Sequence, residues 1–335
     1  MQAIFEQYNW DVLNYQVLQQ GLINKTYVVE TQTGDYILQT INHQVFQNPK
    51  SIDFNINLIS HYLQNHDPNY LFTHLVTNKR GETLTYLNGF YYRAFLKIKG
   101  HALSILENPN QAKQAAGQFA KFTNELIDLN CQQLQITIPN FHNLSLRYAQ
   151  FSTSMLTGDT KRIDGAKESI SYLQAQKKLV PIYENFIAHK DVKQRVTHHD
   201  TKISNVLFNE AGAAICVIDL DTVMPGYFIS DVGDMCRTYL CKVSEEEKEL
   251  NLVNVDTNRW DALKEGYLSY MKSNLSNFEL DHFSYSGQFM IYMQALRFLT
   301  DHLNRDVYYG AKYEGQNLVR ALNQIELLKR FNEII

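Results

Sequence analysis

Between Gly21 and about Ile98, apolar residues recur with the two-residue rhythm of strands. "TYVVET" (26–31) and "DYILQTI" (35–41) are β-branched and aromatic runs joined by the turn-forming "QTGD", a pattern that predicts a hairpin. "TLTYLNGFYYRAFLKI" (83–98) sets Asn88-Gly89 between two such runs. Asn-Gly tolerates the left-handed backbone that a two-residue hairpin turn demands. Between the hairpins the rhythm changes: Ile52, Ile56, Ile59 and Leu63 fall at helical spacing, with Pro49 near the start. With a first strand near Tyr15–Leu18, this part reads as a small antiparallel sheet carrying one helix.

After Gly100 the pattern turns helical. "PNQAKQAAGQFAKFTNELIDL" is rich in Ala and Gln and sets Ala116, Phe119, Ala120 and Phe122 near one face. Further helices are expected at about 144–157, 160–189, 244–273, 283–305 and 312–333. One stretch of this half reads strongly as β: in residues 196–226, "RVTHHD", "NVLFN" and "AICVIDL" are short strands separated by polar turns. The expected fold class is α+β, a two-lobed architecture. Residues 1–98 are expected to form a β-rich lobe, and 99–335 a mainly helical one.

Composition narrows the functions. Hydrophobic residues make up 44% and charged residues 20%, enough apolar content for a sizeable core. The formal charge is −4 and no long basic run occurs, which argues against nucleic acid as a partner. No window approaches the ~18 apolar residues of a membrane span, and the N-terminal residues lack the apolar stretch of a signal peptide. A cytoplasmic location is expected. The four cysteines form no C-x-x-C pair and read as reduced, mostly buried thiols. The oligomeric state is not legible.

The polar segment 196–226 carries the chemistry. His198-x-Asp200-x4-Asn205 is followed by Asp219, Asp221, Asp231 and Asp234. Single Asp and Asn residues in loops are usually turn formers or caps. Here apolar runs flank them, and burying uncompensated carboxylates is costly. Oxygen groups converging from two strand ends suit a hard cation such as Mg²⁺, which keeps waters or substrate phosphates in its other positions. That leaves Asp200 free to accept a proton from a hydroxyl nucleophile.

H-x-D-x4-N followed by I-D at the end of the next strand resembles the signature of the aminoglycoside phosphotransferase and choline kinase-like superfamily, a branch of the protein kinase-like fold. The fuller text "HHDTKISNVLFN…VIDLDTVMPG…SDVGD" is similar to the N-acetylhexosamine 1-kinase group within it. So are "QGLINKTYVVET", "YILQTINHQVF" and "ALRFLTDHLNRDVYY", and the likeness spans nearly the whole chain. The resemblance implies Asp200 as catalytic base, and Asn205 and Asp219 as Mg²⁺ ligands. Asp221 is the additional acid of the I-D-L-D variant, and His198 and Asp231 brace the loop. Lys202, two positions after the base, is placed to spread charge on the transferring phosphoryl; the alternative is a solvated loop lysine.

The resemblance also implies ATP or another nucleoside triphosphate as co-substrate. Gly21, Asn24, Lys25 and Thr26 then belong to the phosphate turn, and Phe95 or Leu96 pack on the base. One element of the kinase pattern is missing. Kinases set a lysine on the third strand, paired to a glutamate on the following helix. Here that strand offers Gln39, and the helix from Lys50 to His66 has no glutamate. Gln39 is left to donate a neutral hydrogen bond while Lys25 or Mg²⁺ supplies charge. On the acceptor side, Arg297 and Asp301 lie one helical turn apart; they read either as a surface ion pair or, with Tyr308 and Tyr309, as a wall binding sugar hydroxyls. The function expected is transfer of a γ-phosphoryl to a sugar hydroxyl, most of all the anomeric hydroxyl of an N-acetylhexosamine. The alternatives are a kinase of choline, homoserine or aminoglycosides, and an inactive nucleotide-binding pseudokinase.

Overall fold

The computed structural model describes residues 1–18 and 24–335. Five antiparallel strands, β1 (Val12–Leu18), β2 (Lys25–Thr31), β3 (Gly34–Ile41), β4 (Leu84–Leu87) and β5 (Phe90–Leu96), form one sheet in the order β1-β2-β3-β5-β4. The Asn88-Gly89 turn takes the shape its residues demand. Both have positive φ, +51° and +85°, and Leu87 pairs with Phe90 across it.

Strand alternation gives the sheet two different faces. Tyr27, Val29, Leu38 and Ala94 point to the outer face, where a short helix α1 (Gln2–Phe5) and Tyr8 cover them. The inner face meets α2 (Pro49–His66), which buries Ile52, Ile56, Ile59 and Leu63 completely or nearly so. Burial of each of these aliphatic side chains contributes about 1.5–3 kcal/mol to keeping α2 in place. Asn55 ties α2 to the other lobe. Its amide donates to the carbonyls of Gln135 (2.8 Å) and Val223 (2.9 Å) and accepts from the Gln135 N–H (2.8 Å).

The large lobe opens with β6 (His101–Ala102), α3 (Pro109–Glu125), α4 (Leu144–Thr157), α5 (Thr160–Gly165), α6 (Lys167–Ala175) and α7 (Leu179–Ala188). The strands β7 (Arg195–Thr197), β8 (Val206–Phe208), β9 (Ala214–Val217) and β10 (Met224–Gly226) follow. They pair as β10-β7 and as β6-β8-β9. The chain then enters α8 (Phe228–Tyr239), α9 (Thr257–Met271), α10 (Asn277–Asp281), α11 (Phe283–Leu303) and α12 (Gln316–Asn332).

Three expectations about helices are corrected. The stretch 160–189 is not one helix: a new helix starts at Leu179 so that Pro181, which lacks an N–H, falls in its first turn. Residues 244–256 are mostly irregular, because Asp256 caps the N-terminus of α9 by accepting from the N–H groups of Asn258 and Arg259. Helix α8 was not anticipated, although Phe228, Ile229, Val232, Met235, Cys236 and Tyr239 follow helical spacing and are all buried. The acids Asp231 and Asp234 between them read as loop. Among the described residues no helix is long and apolar enough to cross a membrane.

Candidate active site

The loop after β7 is built by helix α8. Asp231 in its first turn accepts the backbone N–H groups of His198 (3.0 Å) and His199 (2.7 Å). Asp234 accepts that of Thr201 (2.8 Å). These bonds hold His199 in the left-handed region, at φ +66°. Burial pushes the Asp231 carboxyl up to about 7, against the pull of its two N–H donors. His198 is fully buried and donates from Nε2 to the Ile218 carbonyl (3.1 Å), while its Nδ1 accepts the Asp200 N–H (3.3 Å). Burial keeps the His198 ring neutral by lowering its pKa. The ring therefore links the loop carrying Asp200 to the strand end carrying Asp219.

Asp200 faces the cleft, and the Lys202 ammonium meets both its oxygens at 3.0 and 3.2 Å. Burial alone would lower the Lys202 pKa, but the carboxylates of Asp200 and Asp234 raise it. Asn205 donates its amide to the Asp200 carbonyl (2.9 Å), which commits its nitrogen and leaves its oxygen as a ligand group. Asp219 takes a left-handed backbone (φ +59°) that turns its carboxyl out of the β9 line into the cleft. Solvent reaches that carboxyl from the open side, while protein surrounds it elsewhere. Burial on those sides, with the charges of Asp221 and Asp200 beside it, pushes it up to about 7. A cation would relieve that strain. One carboxylate and one amide oxygen form a hard-oxygen set that fits Mg²⁺ completed by phosphate and water.

Asp221 does not join this set. It is 2% exposed, receives the Asn24 amide (2.6 Å), and forms an ion pair with Arg93. Asp221, expected among the metal ligands, is placed by the structure in this buried ion pair. Asn24 is likewise committed: its oxygen accepts the Asn42 N–H (2.9 Å).

The nucleotide side differs further from expectation. Gln39 uses its oxygen to accept from Arg93 Nε (2.9 Å) and Nη2 (2.8 Å), and its nitrogen donates to Thr26 (3.1 Å). Gln39, Thr26 and Arg93 share the inner face, Gln39 pairing with both residues across the strands. Lys25 alternates to the outer face, where its ammonium lies 5.4 Å from the centre of the Tyr27 ring. Lys25, expected to supply phosphate charge, thus stands on the face opposite Gln39 and Thr26. Phe95 is on the inner face, under the Arg93 guanidinium at 5.2 Å, but Leu96 alternates away and is largely exposed. Gly21 lies outside the described residues. Arg93 escaped the reading of the sequence; the signal was a lone arginine inside the β run "YYRAF".

On the acceptor side, Arg297 stands over the rings of Phe141 (5.7 Å), Tyr308 (5.7 Å) and Tyr309 (5.4 Å) and hydrogen-bonds the Tyr308 hydroxyl (3.3 Å). Phe141 in turn lies 6.4 Å from the His199 ring, so this wall adjoins the loop of Asp200. Asp301 is not part of it. It is 4% exposed and accepts the N–H groups of Tyr308 (2.7 Å) and Tyr309 (2.9 Å) and the Asn317 amide (3.1 Å). Asp301, expected to contact substrate, is thus placed beneath the two tyrosines, which it holds by their N–H groups. Arg147 adds a second guanidinium near Arg297; burial first, and then the charge of Arg297, lowers the Arg147 pKa. Among the described residues Arg147 bonds neutral groups: Gln150 and the carbonyls of Asn140 and Phe141.

A family model described as the phosphotransferase enzyme family matches residues 14–264. An aminoglycoside phosphotransferase from Alicyclobacillus acidocaldarius is 13% identical, covering 99% of this chain and 95% of that one, with a TM-score of 0.69. A spectinomycin phosphotransferase in complex with ADP and spectinomycin is 14% identical, with 99% and 97% covered and a TM-score of 0.61. A microcompartment-associated aminopropanol kinase is also 14% identical, with 99% and 98% covered and a TM-score of 0.61. These likenesses show the protein kinase-like fold.

Proposed function

The chain belongs to the phosphotransferase enzyme family, and from that premise we propose that it moves the γ-phosphoryl of ATP, with Mg²⁺, to a sugar hydroxyl. The preferred acceptor is the anomeric hydroxyl of an N-acetylhexosamine. The observation that carries the choice of acceptor is the wall beside Asp200. Arg297 and Arg147 bring two guanidinium groups and three aromatic rings there, and their side-chain partners are neutral. Cationic acceptors such as choline or an aminoglycoside would be repelled by that charge. An uncharged sugar finds hydrogen-bond donors and ring faces.

In this reading Asp200 accepts the hydroxyl proton while the acceptor oxygen attacks the γ-phosphorus. The bond to the bridging oxygen breaks and the nucleoside diphosphate leaves. An anomeric hydroxyl is more acidic than a simple alcohol, so alignment and charge stabilisation supply most of the acceleration. Lys202, held against Asp200, is near enough to share charge with the transferring group. Asn205 and Asp219 would hold Mg²⁺, which neutralises phosphate charge when bound. The lobes meet near residue 98, where the sheet gives way to the β6 pairing with β8.

The deciding experiment incubates the protein with ATP, Mg²⁺ and a panel of sugars and amino alcohols, and locates products by phosphorus NMR. An anomeric phosphate from N-acetylhexosamines is expected. Turnover confined to cationic alcohols sinks the proposal.

A further inference from the structure

We infer that Arg93 takes the place of the missing strand lysine as the cation that anchors the nucleotide's phosphates. The inference rests on the kinase reading above and adds a residue to it. The third strand carries Gln39 at the position where a lysine is expected, and Arg93 is the register partner of Gln39 on the neighbouring strand β5. Two of its N–H groups, on Nε and Nη2, are gripped by the Gln39 oxygen. Gln39 therefore does not replace the lysine; it aims an arginine. The guanidinium is further backed by the ring of Phe95, an arrangement a flexible lysine does not reproduce.

The partner acid has moved as well. The small-lobe helix carries no glutamate, and the guanidinium instead reaches Asp221, two residues beyond Asp219 in the large lobe. Its position, buried between the sheet and the loop of Asp221, is fixed from both lobes at once. Both partners of this pair are almost fully buried, Arg93 at 1% and Asp221 at 2% exposure. Buried charges at such low exposure persist only when paired, so the pair is a built feature and not an incidental surface contact. Among the described residues, Arg93 Nη1 is buried and has no hydrogen-bond partner, an unsatisfied donor that a phosphate oxygen reaching it would pair. Asp53 on α2 supplies a weaker counter-charge: burial raises its pKa first, and Arg93 is among the groups that lower it.

The register suggests a test that relocates the charge. The full chain is titrated calorimetrically with ADP and Mg²⁺ as wild type, as Arg93→Gln, and as the exchanged pair Arg93→Gln/Gln39→Lys, which returns the cation to the third strand. We expect Arg93→Gln to weaken Mg·ADP binding at least tenfold with the melting transition retained, and the exchanged pair to recover most of that loss. Where Arg93→Gln does not fold because Asp221 is stranded, the double variant Arg93→Gln/Asp221→Asn, which removes both buried charges together, takes its place. Arg93→Gln binding Mg·ADP within twofold of wild type overturns the inference and leaves the kinase reading intact. An exchanged pair as weak as the single variant also overturns it, since the cation itself is then not what matters. A wild type that binds no Mg·ADP overturns the kinase reading and this inference with it.

Discussion

At the scale of single residues, the site separates groups that face the cleft from groups that hold them. Asp200→Asn removes the proton acceptor and keeps the side-chain shape, so kcat is expected to fall by at least a hundredfold, the usual range for a general base. Mg·ADP affinity should be unchanged, and stopped assays with parallel calorimetry check both. Asp301 is a holding group. Asp301→Ala takes the acceptor from the part-buried N–H groups of Tyr308 and Tyr309, while the Asn317 amide keeps Asp306 and the Gly310 carbonyl. The cost is about 1 kcal/mol for each hydrogen bond lost. The variant should melt several degrees lower. Its KM for acceptor should rise only because Tyr308 and Tyr309 lose their seat. His199 offers a pH signature. Its Nδ1 faces two carbonyl oxygens, of Thr197 and Thr222, so the ring is neutral with the proton on Nδ1. Burial depresses its pKa to about 4. A histidine with a depressed folded pKa stabilises fully above its ordinary value near 6.5, and that stability is lost as pH falls toward 4. Relative to His199→Gln, the wild type should lose on the order of 3 kcal/mol across that window. Asp231 titrates in both proteins, so it cancels from the difference. Parallel denaturant curves that keep a constant offset between pH 7 and pH 4 would contradict the assignment.

At the scale of elements, α2 and α8 do the positioning. Helix α2 is fastened to the sheet by its isoleucine stripe and to the large lobe by Asn55. Asn55 is fully buried, and Asn55→Ala would leave the N–H and carbonyl of Gln135 and the Val223 carbonyl without partners. About 2–4 kcal/mol of stability should be lost, measurable by urea unfolding. Nucleotide affinity should fall too, because Asp221 lies two residues before Val223, whose carbonyl Asn55 holds. A variant with wild-type stability would mean that water replaces the amide without loss. Helix α8 packs on α11 so closely that a Cβ on Gly233 would meet the Ser286 carbonyl oxygen at 2.4 Å and the Met290 Cβ at 2.7 Å. That contact sets the height at which Asp231 and Asp234 receive the loop of Asp200.

At the scale of the molecule, the proposed ligand spans both lobes, so binding and stability are linked. Mg·ADP at a hundred times its Kd should stabilise the protein by about 2.7 kcal/mol. Asp219→Ala should abolish the part of that shift that depends on Mg²⁺, and thermal melts with and without the metal decide it; an unchanged Mg²⁺ shift would place the cation elsewhere. Much of this architecture was legible along the chain. The Asn88-Gly89 turn, the isoleucine stripe of α2 and the three short strands around Asp200 are local patterns, and local backbone preference with hydrophobic period determines such elements wherever the rest of the chain lies. The spacing of Asp200, Asn205 and Asp219 was legible for the same reason, since a short loop and a two-strand connection bring them together. What the line of residues did not determine was which polar groups remain free. Lys25 and Thr26 are adjacent in sequence and point to opposite faces of the sheet; Asp301 lies one turn from Arg297 and points inward. Arg93 is far from both Gln39 and Asp221 along the chain, and it meets the first through strand register and the second through the closing of two lobes. Only the tertiary structure decides such pairings, because a buried charge is satisfied by whatever partner the packing delivers.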